Sequence, residues 1–145
     1  MFAHHGDHYF LVVNAARTAH DLAWLGQLAG VTVRHLTDRA LLALQGPRAE
    51  EALATLIPAA AELKFMDSRA LDFDGVEVWV SRSGYTGEDG FEISVLNPDA
   101  ESLARALLGL DWVRPAGLGA RDSLRLETGM PLYGHRCSMS MNHRK

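Results

Sequence analysis

The sequence predicts an α+β fold, a mixed, largely antiparallel sheet with packed helices, and three observations predict it. Stretches of two-residue apolar period alternate along the chain with stretches of helical period. Asp74-Gly75 separates two strand-like stretches, 69–73 and 76–80, and is the strongest short hairpin signal present. The second of these and a further strand, 91–95, flank a loop in which Gly84, Gly87 and Gly90 recur at every third position.

With 145 residues, the chain is one domain's worth of sequence or part of a larger one. A net charge of −4, without a block of Lys and Arg, argues against nucleic acid as a partner. The chain has no apolar run of about 18 residues and no signal-peptide pattern, so no membrane association is expected and the localisation read from the sequence is cytoplasmic. Cys137 is the single cysteine and cannot close an internal disulfide.

Taken in order, His4-His5-Gly6-Asp7-His8 has metal-ligand residue types without regular spacing, and residues 1–8 are read as a flexible polar end with no metal. The uniformly apolar run 9–14 reads as a buried strand. Asn14 closes it, placed either to cap the next helix or to face a ligand at the strand's end. A helix follows over 18–29, with Leu22, Leu25 and Ala29 as its stripe and Gly30 as its stop. Val31 to Leu36 alternates as a strand, with His35 as a sheet residue, and 40–45 reads as another strand. Gly46-Pro47 turns the chain into a helix that buries Leu53, Leu56 and Ile57 and stops at Pro58. Asn97-Pro98-Asp99 starts a helix carrying Leu103, Leu107 and Leu110. Residues 112–116 form a short strand or an extended link, and 117–127 a last helix that ends at Gly129. The chain has no internal repeat and no low-complexity segment.

The chemistry concentrates around Ser81-Arg-Ser-Gly-Tyr-Thr-Gly-Glu-Asp-Gly-Phe-Glu92. Glycines at that spacing let backbone pass close to something, while Tyr85 and Thr86 put polar and aromatic groups at the same place; a decorated hairpin turn is the alternative. Glu92 is in a strand and faces opposite to Phe91 and Ile93, so with those two in the core its carboxylate points to the other side. There it is either an exposed strand glutamate or an acceptor for a paired N–H edge. Arg121 stands near a helix start, where a cation is unfavourable, which points to a partner anion or a salt bridge such as one with Asp122. Gly-x-Ser-x-Gly, His-Glu-x-x-His, a P-loop lysine and Gly-x-Gly-x-x-Gly are all absent.

Four segments carry a resemblance: 12–15 (Val-Val-Asn-Ala), 44–47 (Leu-Gln-Gly-Pro), 81–93, and 117–134 from Gly-Leu-Gly-Ala-Arg-Asp to Pro-Leu-Tyr-Gly. In that order they resemble the aminomethyltransferase, or T protein, of the glycine cleavage system. The resemblance spans about 9–135 and implies a truncated folate-binding domain with the pterin in a central cavity. It implies transfer of an aminomethyl group from the lipoyl arm of the H protein to tetrahydrofolate, with release of ammonia. By the same resemblance Glu92 pairs with the pterin edge, Arg121 binds substrate, and Tyr85, Asn14 and Tyr133 line the cavity. No catalytic residue is assigned, because the family's aspartate for the proton chemistry belongs to a portion ahead of 12–15. Residues 136–145 depart from the family pattern, so the chain is expected to be an internal piece, weak or inactive by itself. A folate-binding portion of a dimethylglycine or sarcosine oxidising flavoprotein and a non-catalytic folate-binding module are the rival readings.

Overall fold

The computed structural model describes residues 2–132. Within them Asp38–Met130 is one compact unit, and the residues up to Thr37, with Pro131 and Leu132, make another.

In the larger unit four strands, β3 (Arg39–Gln45), β4 (Ser68–Phe73), β5 (Val76–Ser81) and β6 (Gly90–Leu96), form one sheet in the order β3-β6-β5-β4, with every neighbouring pair antiparallel. The hairpin at Asp74-Gly75 forms as read, both residues taking positive φ (51° and 83°), as a two-residue turn matched to strand twist requires. Register then sorts the side chains. Leu44 opposes Phe91, Leu42 opposes Ile93, and Ile93 opposes Val80, which puts these residues on one face. Helices α2 (Ala49–Leu56) and α3 (Ala100–Leu108) pack on that face through Ala52, Leu53, Leu103 and Leu107. Phe91, Ile93, Val95, Val78, Val80, Leu53 and Leu103 are fully buried, each contributing about 1.5–3 kcal/mol relative to exposure. The opposite face carries Glu92, set across from Ala43 and Ser81. Residues 113–117 run as a link without strand pairing into α4 (Leu118–Glu127), after which Gly129 takes φ 75°.

The smaller unit departs more from expectation. Phe2–His5 is a strand, β1, paired antiparallel with β2 (His8–Leu11) across a turn at Gly6-Asp7, where a flexible end was expected. Tyr9 stacks near His4 and Phe2 across the pair. β2 is not the buried strand expected over 9–14: Tyr9 and Leu11 are exposed, because a two-stranded ribbon has no layer of its own to cover it. Helix α1 (Thr18–Leu25) is capped at Gly26 rather than Gly30. Residues 31–37 form no strand. Alternation in Val31–Leu36 met no neighbouring ladder, and an extended segment without one is not a strand.

Truncating Leu103 to Ala will cost about 2–5 kcal/mol of unfolding free energy in a urea titration, while Leu126→Ala, at an exposed site, will change it by less than about 0.5 kcal/mol.

Candidate functional site

A groove of about 730 Å³ follows β3 from Leu41 to Gln45, at the outer edge of the sheet. Residues 112–118 and α4 form its other side. Glu92, Tyr85 and Arg121 all line it. Three of the five residues singled out from the sequence are thus in one place, within the range of volume typical of small-molecule sites.

Glu92 reaches the groove because Phe91 and Ile93 on either side of it are buried in the core. Its Oε2 accepts a hydrogen bond of 3.3 Å from Ser83 Oγ, which lies 3.0 Å from Ser81 Oγ. The other carboxylate oxygen takes no hydrogen bond among the described residues. Arg121 is in the first turn of α4, with its guanidinium 4.7 Å from the centre of the Tyr85 ring. Asp122 pairs with Arg125 instead, at 2.6 Å, so the salt bridge weighed for Arg121 is made by its neighbour. Arg121 makes no ion pair among the described residues. Farther along the groove Arg48 covers the Trp112 ring at 4.4 Å and binds Glu51.

Asn14 belongs to the smaller unit. Its side-chain oxygen accepts from Ala16 N–H at 3.1 Å and caps the 3-10 turn Ala15–Arg17, the capping alternative of the two readings. Tyr133 lies outside the described residues, as does Cys137. Among the described residues no group of three or more His, Cys, Asp or Glu is placed to hold a metal. In the N-terminal hairpin, His8 contacts Asp7 at 2.8 Å, and burial, then the charges of His8 and His4, hold His5 below its ordinary pKa. No helix among the described residues is long and apolar enough to cross a membrane.

The glycine spacing has a physical cause that sequence reading missed. A Cβ on Gly84 would sit 1.8 Å from Gln45 Oε1, and one on Gly90 would sit 2.5 Å from Gln45 Nε2. The "something" that approaches these two glycines is one side chain from β3. Gly87 answers to another: its φ is +83°, and a Cβ there would lie 2.1 Å from Thr128 Cγ2, at the end of α4. The signal was present, since glycines three apart around a polar loop imply tight neighbours, but it does not say which side chains they are.

The loop is also clasped from outside. Arg82 Nε and Nη2 donate to the two oxygens of Asp89 at 3.0 and 2.6 Å, Nη2 also donates to Glu50 of α2, and Nη1 donates to Leu63 O at 2.9 Å. Hydrogen bonding to Arg82 holds the Asp89 carboxyl below its usual range, and the same contact raises the guanidinium further.

The chain matches the family described as GCVT N-terminal domain over residues 1–143. It belongs to that family. Similar relatives include a protein named Aminomethyltransferase from Chlorobaculum parvum, 44% identical over 146 residues that cover 94% of this chain and 40% of the relative. The Probable aminomethyltransferase, mitochondrial, of Schizosaccharomyces pombe is 47% identical over 132 residues, covering 87% of this chain and 34% of its own length. The crystal structure of glycine cleavage system aminomethyltransferase T from Bartonella henselae superposes with a TM-score of 0.70 at 44% identity, over 82% of this chain and 33% of that one. The family resemblance and the α+β fold are both borne out. The chain spans about 40% or less of the length of these relatives.

Asp89 is held below its ordinary 3.8, so its contribution to stability is fully present above about pH 5 and is lost as pH falls through its folded value. Urea titrations across pH will show the wild type's advantage over Asp89→Asn constant above about pH 5 and shrinking below it. Gly87→Ala will lower stability by about 1–2 kcal/mol from its left-handed backbone, with a steric cost added by Thr128; combining it with Thr128→Ser will recover only the steric part in thermal melts.

Proposed function

We propose that the protein of which this chain is a part is the aminomethyltransferase of the glycine cleavage system. It passes an aminomethyl group from the lipoyl sulfur of the H protein to tetrahydrofolate. The C–S bond breaks, the carbon ends as methylenetetrahydrofolate, the nitrogen leaves as ammonia, and the lipoyl group is left as the dithiol. The observation that supports this best is the meeting of Glu92, Tyr85 and Arg121 in one groove of a chain from this family.

Each group suits its part. The 2-amino group and N3–H of a pterin form a parallel donor pair that an ionised carboxylate accepts in plane, and Glu92 offers an oxygen that no described residue uses. Arg121, with no carboxylate partner among the described residues and with its guanidinium over the Tyr85 ring, suits a ligand carboxylate or a polar ring edge. Tyr85 adds aromatic surface beside both. These residues bind and orient; no described side chain is assigned the proton transfers. We keep Asn14 and Tyr133 as cavity residues of the whole protein, and 9–135 as its folate-binding part. We propose the cytoplasm as the compartment for a bacterial form, such as that of the C. parvum relative, and note that the S. pombe relative is named mitochondrial. Names of the relatives favour this reading over a flavoprotein's folate portion.

Calorimetric titration of tetrahydrofolate into the 145-residue chain is expected to show saturable binding. Glu92→Ala is expected to weaken it about tenfold to a hundredfold, as loss of a charged hydrogen-bond acceptor does. Equal binding by the wild type and the variant would overturn the role of Glu92; no binding by either would remove folate from this groove.

A further inference from the structure

We propose that Gln45 is a positioning residue: its side-chain amide, seated between Gly84 and Gly90, fixes Tyr85 and Glu92 on the same wall of the groove. The ligand part of this proposal rests on the tetrahydrofolate reading above; the positional part rests on geometry alone. Gln45 Nε2 donates to Ser83 O at 3.1 Å and to Phe91 O at 3.3 Å, and its Oε1 accepts from Thr86 Oγ1 at 3.1 Å. Ser83 and Thr86 bracket the Gly84-Tyr85 pair, and Phe91 immediately precedes Glu92. One planar group therefore ties the backbone on one side of Tyr85, the side chain on its other side, and the residue before Glu92.

The amide has only one orientation that works. Turned over, it would set its oxygen against two carbonyl oxygens and its nitrogen against a hydroxyl. Both glycines are required for it to enter, since a Cβ on either would overlap the amide. Gln45 itself is the last residue of β3 and is paired in register with Gly90, so the sheet sets its height along the loop. Beyond it, Gly46 N–H donates to Asp89 O at 2.8 Å and continues that pairing. Ser83 carries the effect one step further, because its hydroxyl donates to Glu92. A residue with only a packing role would fill this space without needing three polar contacts.

Gln45→Met keeps the length of the side chain and removes all three hydrogen bonds. In the 145-residue chain it is expected to melt within a few degrees of the wild type and to bind tetrahydrofolate about tenfold more weakly. The Tyr85 ring resonances and the amide resonances from Ser83 to Glu92 are expected to move in NMR spectra while those of α3 do not. Wild-type affinity in Gln45→Met, beside loss of binding in Glu92→Ala, would overturn the positioning role and leave the folate reading intact. If the wild type itself binds no tetrahydrofolate, the folate reading fails and the resonances decide: a shifted loop supports the positioning role, an unshifted one overturns it. Should Gln45→Met fail to fold, Gly84→Ala, which displaces the amide without removing it, is read by the same two measurements.

Discussion

The glycine-rich loop of the larger unit depends on one amide lodged in a backbone slot. Four strands and two helices build a core that would be stable with many different loops at its end. The Gln45 side chain makes this loop particular, because it joins β3 to both arms of the glycine-rich turn, through the carbonyls of Ser83 and Phe91 and the hydroxyl of Thr86, in a slot that Gly84 and Gly90 leave open. Around that contact the remaining supports are arranged in sequence: the Arg82–Asp89 pair outside, anchored on α2 through Glu50, and α4 on the far side through Arg121 over Tyr85 and Thr128 against Gly87. Rigid scaffolding beneath a polar loop is the usual way a protein holds binding groups in fixed relation.

Most of the larger unit was legible in the sequence because local and global preferences agree there. Asp74-Gly75 demanded its turn, the alternation in 91–95 fixed which face Glu92 occupies, and Pro47 and Pro58 bounded α2. The smaller unit was misread for the opposite reason. Val31–Leu36 has strand composition without a strand partner, and Phe2–His5 has few apolar residues yet finds one in His8–Leu11. Pairing is a long-range fact that composition does not carry.

The site was legible in part. Glu92 and Arg121 stood out because each breaks a local rule, a carboxylate beside core positions and a cation in the first turn of a helix. Their meeting with Tyr85 depends on how α4 returns to the sheet, which no periodicity reports. Gln45 was read only within 44–47 and as the end of a strand, because a glutamine there breaks no local rule that would point to its contacts. The fit of Gly84 and Gly90 to its amide is a contact between residues far apart in the chain.

That fit has a consequence for how such sequences diverge. Gly84 and Gly90 are 39 and 45 positions from Gln45 in the chain, yet neither can acquire a side chain while the amide stands between them. Replacing Gln45 first would leave two backbone carbonyls and a threonine hydroxyl without their contacts. Any route from this loop to a differently built one therefore passes through an intermediate whose loop has lost its tie to β3 or its room for the amide, whichever of the three positions changes first. The three residues form a mutational lock, and the lock closes on the loop that carries Tyr85.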